Sequence, residues 1–157
     1  MKLEFENLAD RPRDIPRVVA WWHTVWGERM GEIEVFTDKL LATLGGEQLP
    51  LTLVAVANGE PVGTAALKDH EMLDVFPGYQ YWMGSVYVRP EWRERGVASQ
   101  LAGHIIELAG TRGLPHLYLQ TVHPQGGLYA RLGWEPVERL LYRGDETLVM
   151  KKSMTEN

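Results

Sequence analysis

Between Val86 and Leu101 the chain reads Val-Tyr-Val-Arg-Pro-Glu-Trp-Arg-Glu-Arg-Gly-Val-Ala-Ser-Gln-Leu. Here residue types and spacing can do chemistry. An apolar run passes through a short basic loop into the start of a helix. The first turn of a helix leaves backbone N–H groups without partners and carries partial positive charge, so it binds anions, phosphate above all. Two local features fit an anion at this point. No Ser, Thr, Asp or Asn stands directly before Gly96, where such a cap typically contributes ~1 kcal/mol. Arg93 and Arg95 crowd the positive end of the helix dipole, an unfavourable place for cations unless an anion joins them. Gly96 lets a phosphate approach the backbone, and the small Ala98 keeps the first turn open. On pattern alone, a surface helix whose leading arginines are neutralised by Glu91 and Glu94 fits equally well. No Gly-Lys-Ser or Gly-Lys-Thr occurs, which disfavours a nucleotide-hydrolysing phosphate loop.

Other chemistries are narrowed by what the chain contains. Cysteine is absent, which removes disulfides, thiolate metal sites and an acyl-cysteine intermediate. His23, His70, His104 and His116 show no pair four apart beside a carboxylate, so no metal is expected. A net charge of −5 argues against nucleic acid or an anionic membrane as the main partner. The apolar stretches are short and interrupted, too short to span a bilayer. The first residues lack the basic segment and apolar run of a signal peptide, so a cytoplasmic location is expected.

The elements that must position the loop follow from periodicity. Residues 2–6 alternate as a short strand, and Asp14 stands where a helix N-cap belongs. Val18, Trp21, Trp22, Val25 and Trp26 recur at helical spacing, with Gly27 and Gly31 interrupting. A second helix is expected over 33–44. Residues 51–57 and 62–67 read as a hairpin around Asn58-Gly59-Glu60-Pro61, and 81–88 as a third core strand after a polar and aromatic loop. Residues 96–109 carry an apolar stripe of Val97, Leu101, Ile105 and Leu108. A strand at 116–122, a short helix at 125–132 and strands at 134–142 and 146–150 complete the pattern. The order β-α-α-β-β-β-α-β-α-β-β predicts one α+β, or mixed α/β, domain over residues 1–157.

Val88-x-Pro90-x-x-Arg93-x-Arg95-Gly96-Val97-Ala98-Ser99-x-Leu101 resembles motif A of the GNAT (GCN5-related) N-acetyltransferases, written Q/R-x-x-G-x-G/A. Leu128-Tyr129-Ala130-Arg131-Leu132-Gly133-Trp134 resembles the same family's Phe-Tyr-x-x-x-Gly-Phe segment, with Leu and Trp replacing the two phenylalanines. The order of elements matches along nearly the whole chain. The resemblance implies a central mixed, largely antiparallel sheet flanked by helices, with strands splayed at a site for acetyl-CoA. Motif A then implies pyrophosphate on the loop from Arg93 through Arg95, Gly96, Val97 and Ala98 to Ser99, and a pantetheine arm paired to Val86 and Val88.

The implied reaction is acetyl transfer to a primary amine of a small, cationic acceptor by direct attack in a ternary complex. The alternative is a non-catalytic CoA-binding sensor or partner domain. Tyr129 stands where the family places a general acid. The strand 81–88 lacks the carboxylate that many relatives carry, and a water chain to Glu71 or Asp74, or to His123 at the end of its strand, is expected to serve in place of a direct base. The acceptor pocket is expected from the first two helices and the loop before the motif A strand, with Trp26, Asp74 and Trp82 as its contacts. By the same analogy the chain forms a homodimer through its last strands.

Overall fold

The computed structural model describes residues 2–46 and 48–154; the ends of the domain expected over 1–157 lie outside these. Its elements are β1 (Glu4–Asn7), α1 (Ile15–Met30), α2 (Ile33–Thr43), β2 (Leu51–Ala57), β3 (Glu60–Lys68) and β4 (Trp82–Val88). They continue with α3 (Val97–Thr111), β5 (His116–Thr121), α4 (Gly127–Arg131), β6 (Glu135–Tyr142) and β7 (Asp145–Ser153). Short 3₁₀ turns precede α1 and lead into the loop before α3. The strands form one sheet ordered β1-β2-β3-β4-β5-β7-β6, in which only the β4–β5 pair is parallel.

Alternation along the strands divides the core between two faces. Leu53, Ala55 and Ala57 join Val97, Leu101 and Ile105 under α3. The intervening Val54 and Val56 meet Val18, Val19 and Trp22 of α1 on the opposite face. On that second face, farther along the sheet, Met72 packs with Trp82, Tyr118 and Val149 beneath the 69–80 loop. Phe76, Tyr79 and Tyr118 stack there with ring centroids 4.7 and 4.5 Å apart.

Two edges of the expected pattern shift for local reasons. Asp14 precedes α1 but makes no capping bond; its Oδ2 instead accepts from Arg11 Nε at 2.6 Å. β7 runs beyond the expected 150 because Lys151, Lys152 and Ser153 pair with Tyr118, Leu117 and His116.

The feature that creates a site is the failure of β4 and β5 to stay together. Their only registered pair is Trp82↔Tyr118, supported by the Tyr118 N–H donating to the Tyr81 carbonyl at 2.9 Å. Toward Val88 the strands part. On its other side β4 stays bonded to β3, but with a shift of register between Thr64 and Ala66. Opposite that shift lies Ser85, held at φ +51°, a left-handed conformation that costs a non-glycine residue about 1–2 kcal/mol. This is a β-bulge, and bulges bend and twist the strand that carries them.

Candidate active site

Past the bulge, ladder geometry decides where β4 points its amides. The Arg89 N–H donates to the Val62 carbonyl at 2.9 Å, so the next pair, Gly63↔Val88, is a non-hydrogen-bonded one. The N–H and C=O of Val88 therefore turn away from β3, toward the opened side, and those of Val86 follow by alternation. The Val88 carbonyl is taken by Arg93 Nε at 2.8 Å. The amides that face the gap are the ones an extended ligand arm can pair with.

The loop after β4 ends in a turn whose geometry suits an anion. Glu94 and Gly96 have φ +62° and +82°, and Gly96 caps α3 without any side-chain bond and with no acid in the first turn. Successive N–H groups in such a turn form a concavity for anions. Of the residues expected to hold the cofactor, Val86, Val88, Arg93, Gly96, Val97, Ala98 and Ser99 line one cavity of about 640 Å³. Arg95 departs from that expectation: its guanidinium lies over the Trp92 ring at 4.9 Å and does not line the cavity. Leu128 and Arg131 of α4 do. Both sit in the second sequence motif at helical i, i+3 spacing, the signal that could have added them.

Adjoining this cavity is a larger cleft of about 1410 Å³. Trp26 lines both, at a kink where its φ and ψ leave the helical range (−120°, 22°). Glu71 and Tyr129 line the cleft together with Gly84, Ser85 and Gln120. Glu71 belongs to the loop on the α1 side of the sheet, whereas Tyr129 packs with the core under α3. The parting of β4 from β5 lets the two meet in one space. Burial pushes the Tyr129 phenol above its ordinary pKa, keeping its proton in place.

The Glu71 carboxylate is set against β4 itself. A Cβ at Gly84 would stand 1.9 Å from Glu71 Oε2, so only glycine leaves it room. Oε1 accepts from Gln120 Nε2 at 2.9 Å, and Oε2 lies 3.1 Å from Lys68 Nζ. A carboxylate thus occupies the strand site from outside, although β4 has no acidic residue of its own. Sequence reasoning did not single out Gln120, because a polar residue near the end of a strand carries no local sign that it reaches Glu71.

Three expected site residues lie elsewhere. Trp82 is fully buried, its Nε1 donating to the Tyr79 carbonyl at 2.6 Å. It is a core residue, because the 69–80 loop covers the sheet face that the sequence left open. Asp74 is exposed, accepts from the Tyr142 hydroxyl at 3.0 Å, and lines neither cavity. His123 is exposed too, its Nδ1 accepting from the Gln125 N–H at 3.3 Å, and it lines neither cavity. Among the described residues no three His, Asp or Glu side chains converge where they could hold a metal ion. No helix among them is long and apolar enough to cross a membrane.

Parting strands, amides that face the gap and an uncapped helix start are the geometric features of this site. Residues 15–134 match the Acetyltransferase (GNAT) family. The fold is that of an N-acetyltransferase from Staphylococcus aureus Mu50, with TM-score 0.78 and 15% identity over 99% of this chain and 100% of that one. It is also that of an aminoglycoside 6'-N-acetyltransferase complexed with coenzyme A, at 0.75 and 15% over 100% and 99%. A ribosomal-protein-alanine N-acetyltransferase from Brucella melitensis gives 0.74 and 20% over 98% and 99%. The chain belongs to the GNAT acetyltransferase family.

Proposed function

We propose that the protein moves the acetyl group of acetyl-CoA to a primary amine of a small acceptor, by direct attack while both are bound. The observation that carries this is the joint presence of Glu71 and Tyr129 in the cleft where β4 leaves β5. The uncapped start of α3, with Arg93 and Arg131, holds the phosphates. Val86 and Val88 pair with the arm. Glu71 takes the proton of the incoming ammonium, directly or through one water, and so frees the nitrogen lone pair to attack the acyl carbon. The Val88 N–H donates to the acyl oxygen as it gains charge. Tyr129 gives its phenolic proton to the sulfur as the carbon–sulfur bond breaks, and the nitrogen sheds its second proton as the amide forms, which restores the phenol. Trp26, at the junction of the two spaces, is the acceptor contact retained from the expected set.

Thermal unfolding in the presence of acetyl-CoA, run beside ATP, tests the first half of this proposal. Ligand at about a hundred times Kd adds ~2.7 kcal/mol, a rise of roughly 5–10 °C for a chain of this length. Coenzyme A release with a panel of small primary amines tests the second half. Equal shifts with ATP and acetyl-CoA, or no shift with either, would refute the cofactor assignment.

A further inference from the structure

The strained residue at the centre of the site is held by a hydrogen-bond chain that begins on another element. Thr64 of β3 is completely buried. Its Oγ1 donates to the Ser85 carbonyl at 2.8 Å. A hydroxyl has one proton to give, so the same oxygen acts as acceptor toward Trp22, whose Nε1 donates to it at 3.0 Å. Trp22 is 3% exposed and stands on α1, one helical turn before Trp26. The chain thus runs indole N–H, hydroxyl, bulge carbonyl, with every group buried or half-buried and all of them partnered.

We propose that Thr64 is a positioning residue for acetyl-CoA, its hydroxyl pinning the Ser85 bulge so that the Val86 and Val88 amides face the open side of β4. A bulge leaves its extra residue outside the strand ladder, and here the Thr64 side chain supplies a partner for its carbonyl. Without that hydroxyl, the buried Trp22 indole and the half-buried Ser85 carbonyl both lose their protein partner. The relief open to the strand is to straighten Ser85 from φ +51° and absorb the extra residue into the ladder. A one-residue change of register reverses the facing of every residue beyond it. It would turn the Val86 and Val88 amides back toward β3 and close the pairing edge. Trp22 feeds the same chain from α1, so the wall that carries Trp26 and the strand that holds the arm are set by one network.

This rests on assigning the β4 edge to acetyl-CoA, and the test separates the two ideas. Calorimetric titration with acetyl-CoA compares wild type, Thr64→Val, Thr64→Ser and Val56→Ala, the last removing apolar packing from the cluster that holds Trp22 while leaving every hydrogen bond of the chain in place. Thr64→Val is expected to weaken binding by about tenfold, equivalent to about 1.4 kcal/mol, through the two abandoned partners. Thr64→Ser keeps the hydroxyl and is expected to stay within about threefold of wild type. Val56→Ala is expected to lower Tm and leave the Kd unchanged. Wild-type affinity in Thr64→Val overturns the proposal, as does loss of affinity in Val56→Ala in step with its Tm. Amide hydrogen exchange at Val86 and Val88 in the free protein gives the second readout, altered in Thr64→Val and not in Val56→Ala. Should wild type bind no acetyl-CoA, the cofactor assignment fails, and the exchange data still decide whether Thr64 sets the strand.

Discussion

The cavity at the start of α3 is built chiefly from one continuous stretch, β4 through the first turn of α3, whose opening amides have no side-chain cap. The cleft beside it takes side chains from α1, the 69–80 loop, β5, α4 and the β6–β7 turn, segments scattered over more than a hundred positions. In the first region, side-chain identity matters mainly where it sets backbone conformation, as at Gly96. In the second, individual side chains carry the proposed chemistry, and their neighbours decide where those groups sit. Substitutions should therefore behave differently in the two regions. A side-chain deletion is severe in the cleft and mild in the cavity, while a backbone change is costly in the cavity.

The largest effect is expected at Glu71. Glu71→Gln keeps the shape and the acceptor oxygen for Gln120 but cannot take a proton at neutral pH. Turnover with a saturating amine should fall ~10²–10⁴-fold, the usual range for a general base, while acetyl-CoA affinity stays as in wild type. Steady-state kcat beside a binding titration makes the distinction. A Gln variant that keeps wild-type kcat would remove Glu71 from the chemistry and leave the cleft with a binding role only.

Tyr129→Phe comes next, with kcat expected to fall ~10²-fold. The pH profile sharpens this. Burial raises the phenol's pKa above its ordinary value near 10, so the protonated acid form persists to higher pH than it would in water. An alkaline decline due to Tyr129 must then be centred above pH 10, and it must be missing from the Phe variant. A decline centred well below pH 10 that is lost in Tyr129→Phe would contradict the burial argument.

The difference between the two regions also explains what the sequence made legible. The anion cradle could be seen because its parts are contiguous: a strand, a basic loop, an uncapped helix start and a glycine at the required place. The order of eleven elements was equally visible, since hydrophobic period and glycine punctuation are local signals. The cleft was legible only in fragments. Glu71 stood out as a carboxylate near the motif A strand, but its seat on Gly84 depends on a loop folding over a sheet face. Trp82 looked available for a substrate because alternation says which residues share a face and not what covers that face. Asp74 lies three residues from Glu71, yet its partner is Tyr142. The path of the 69–80 loop, fixed by the Phe76–Tyr79–Tyr118 stack and the Tyr79 hydroxyl donating to Glu138 at 2.6 Å, separates the two acids. Nothing in the local spacing encodes it.

The smallest expected effects give the sharpest test, because they set two neighbouring residues against each other. Gly96 is the N-cap of α3 at φ +82°, with open space where a Cβ would go. Gly96→Ala therefore meets no clash and is penalised only through its left-handed backbone, about 1–2 kcal/mol. Part of that strain will be relieved by rotating the very N–H groups that form the cradle, so acetyl-CoA affinity should fall about fivefold to thirtyfold. Arg95 is its immediate neighbour and carries a full charge, but its guanidinium is spent on Trp92. Arg95→Ala should change affinity less than about threefold, the scale of a surface charge at a screened distance. Titrations of both variants with acetyl-CoA decide the matter. If Arg95→Ala proves the more damaging, the phosphates are held by side-chain charge and not by the turned amides. The contrast between a backbone-made cavity and a side-chain-made cleft would then fail at the point where it is most explicit.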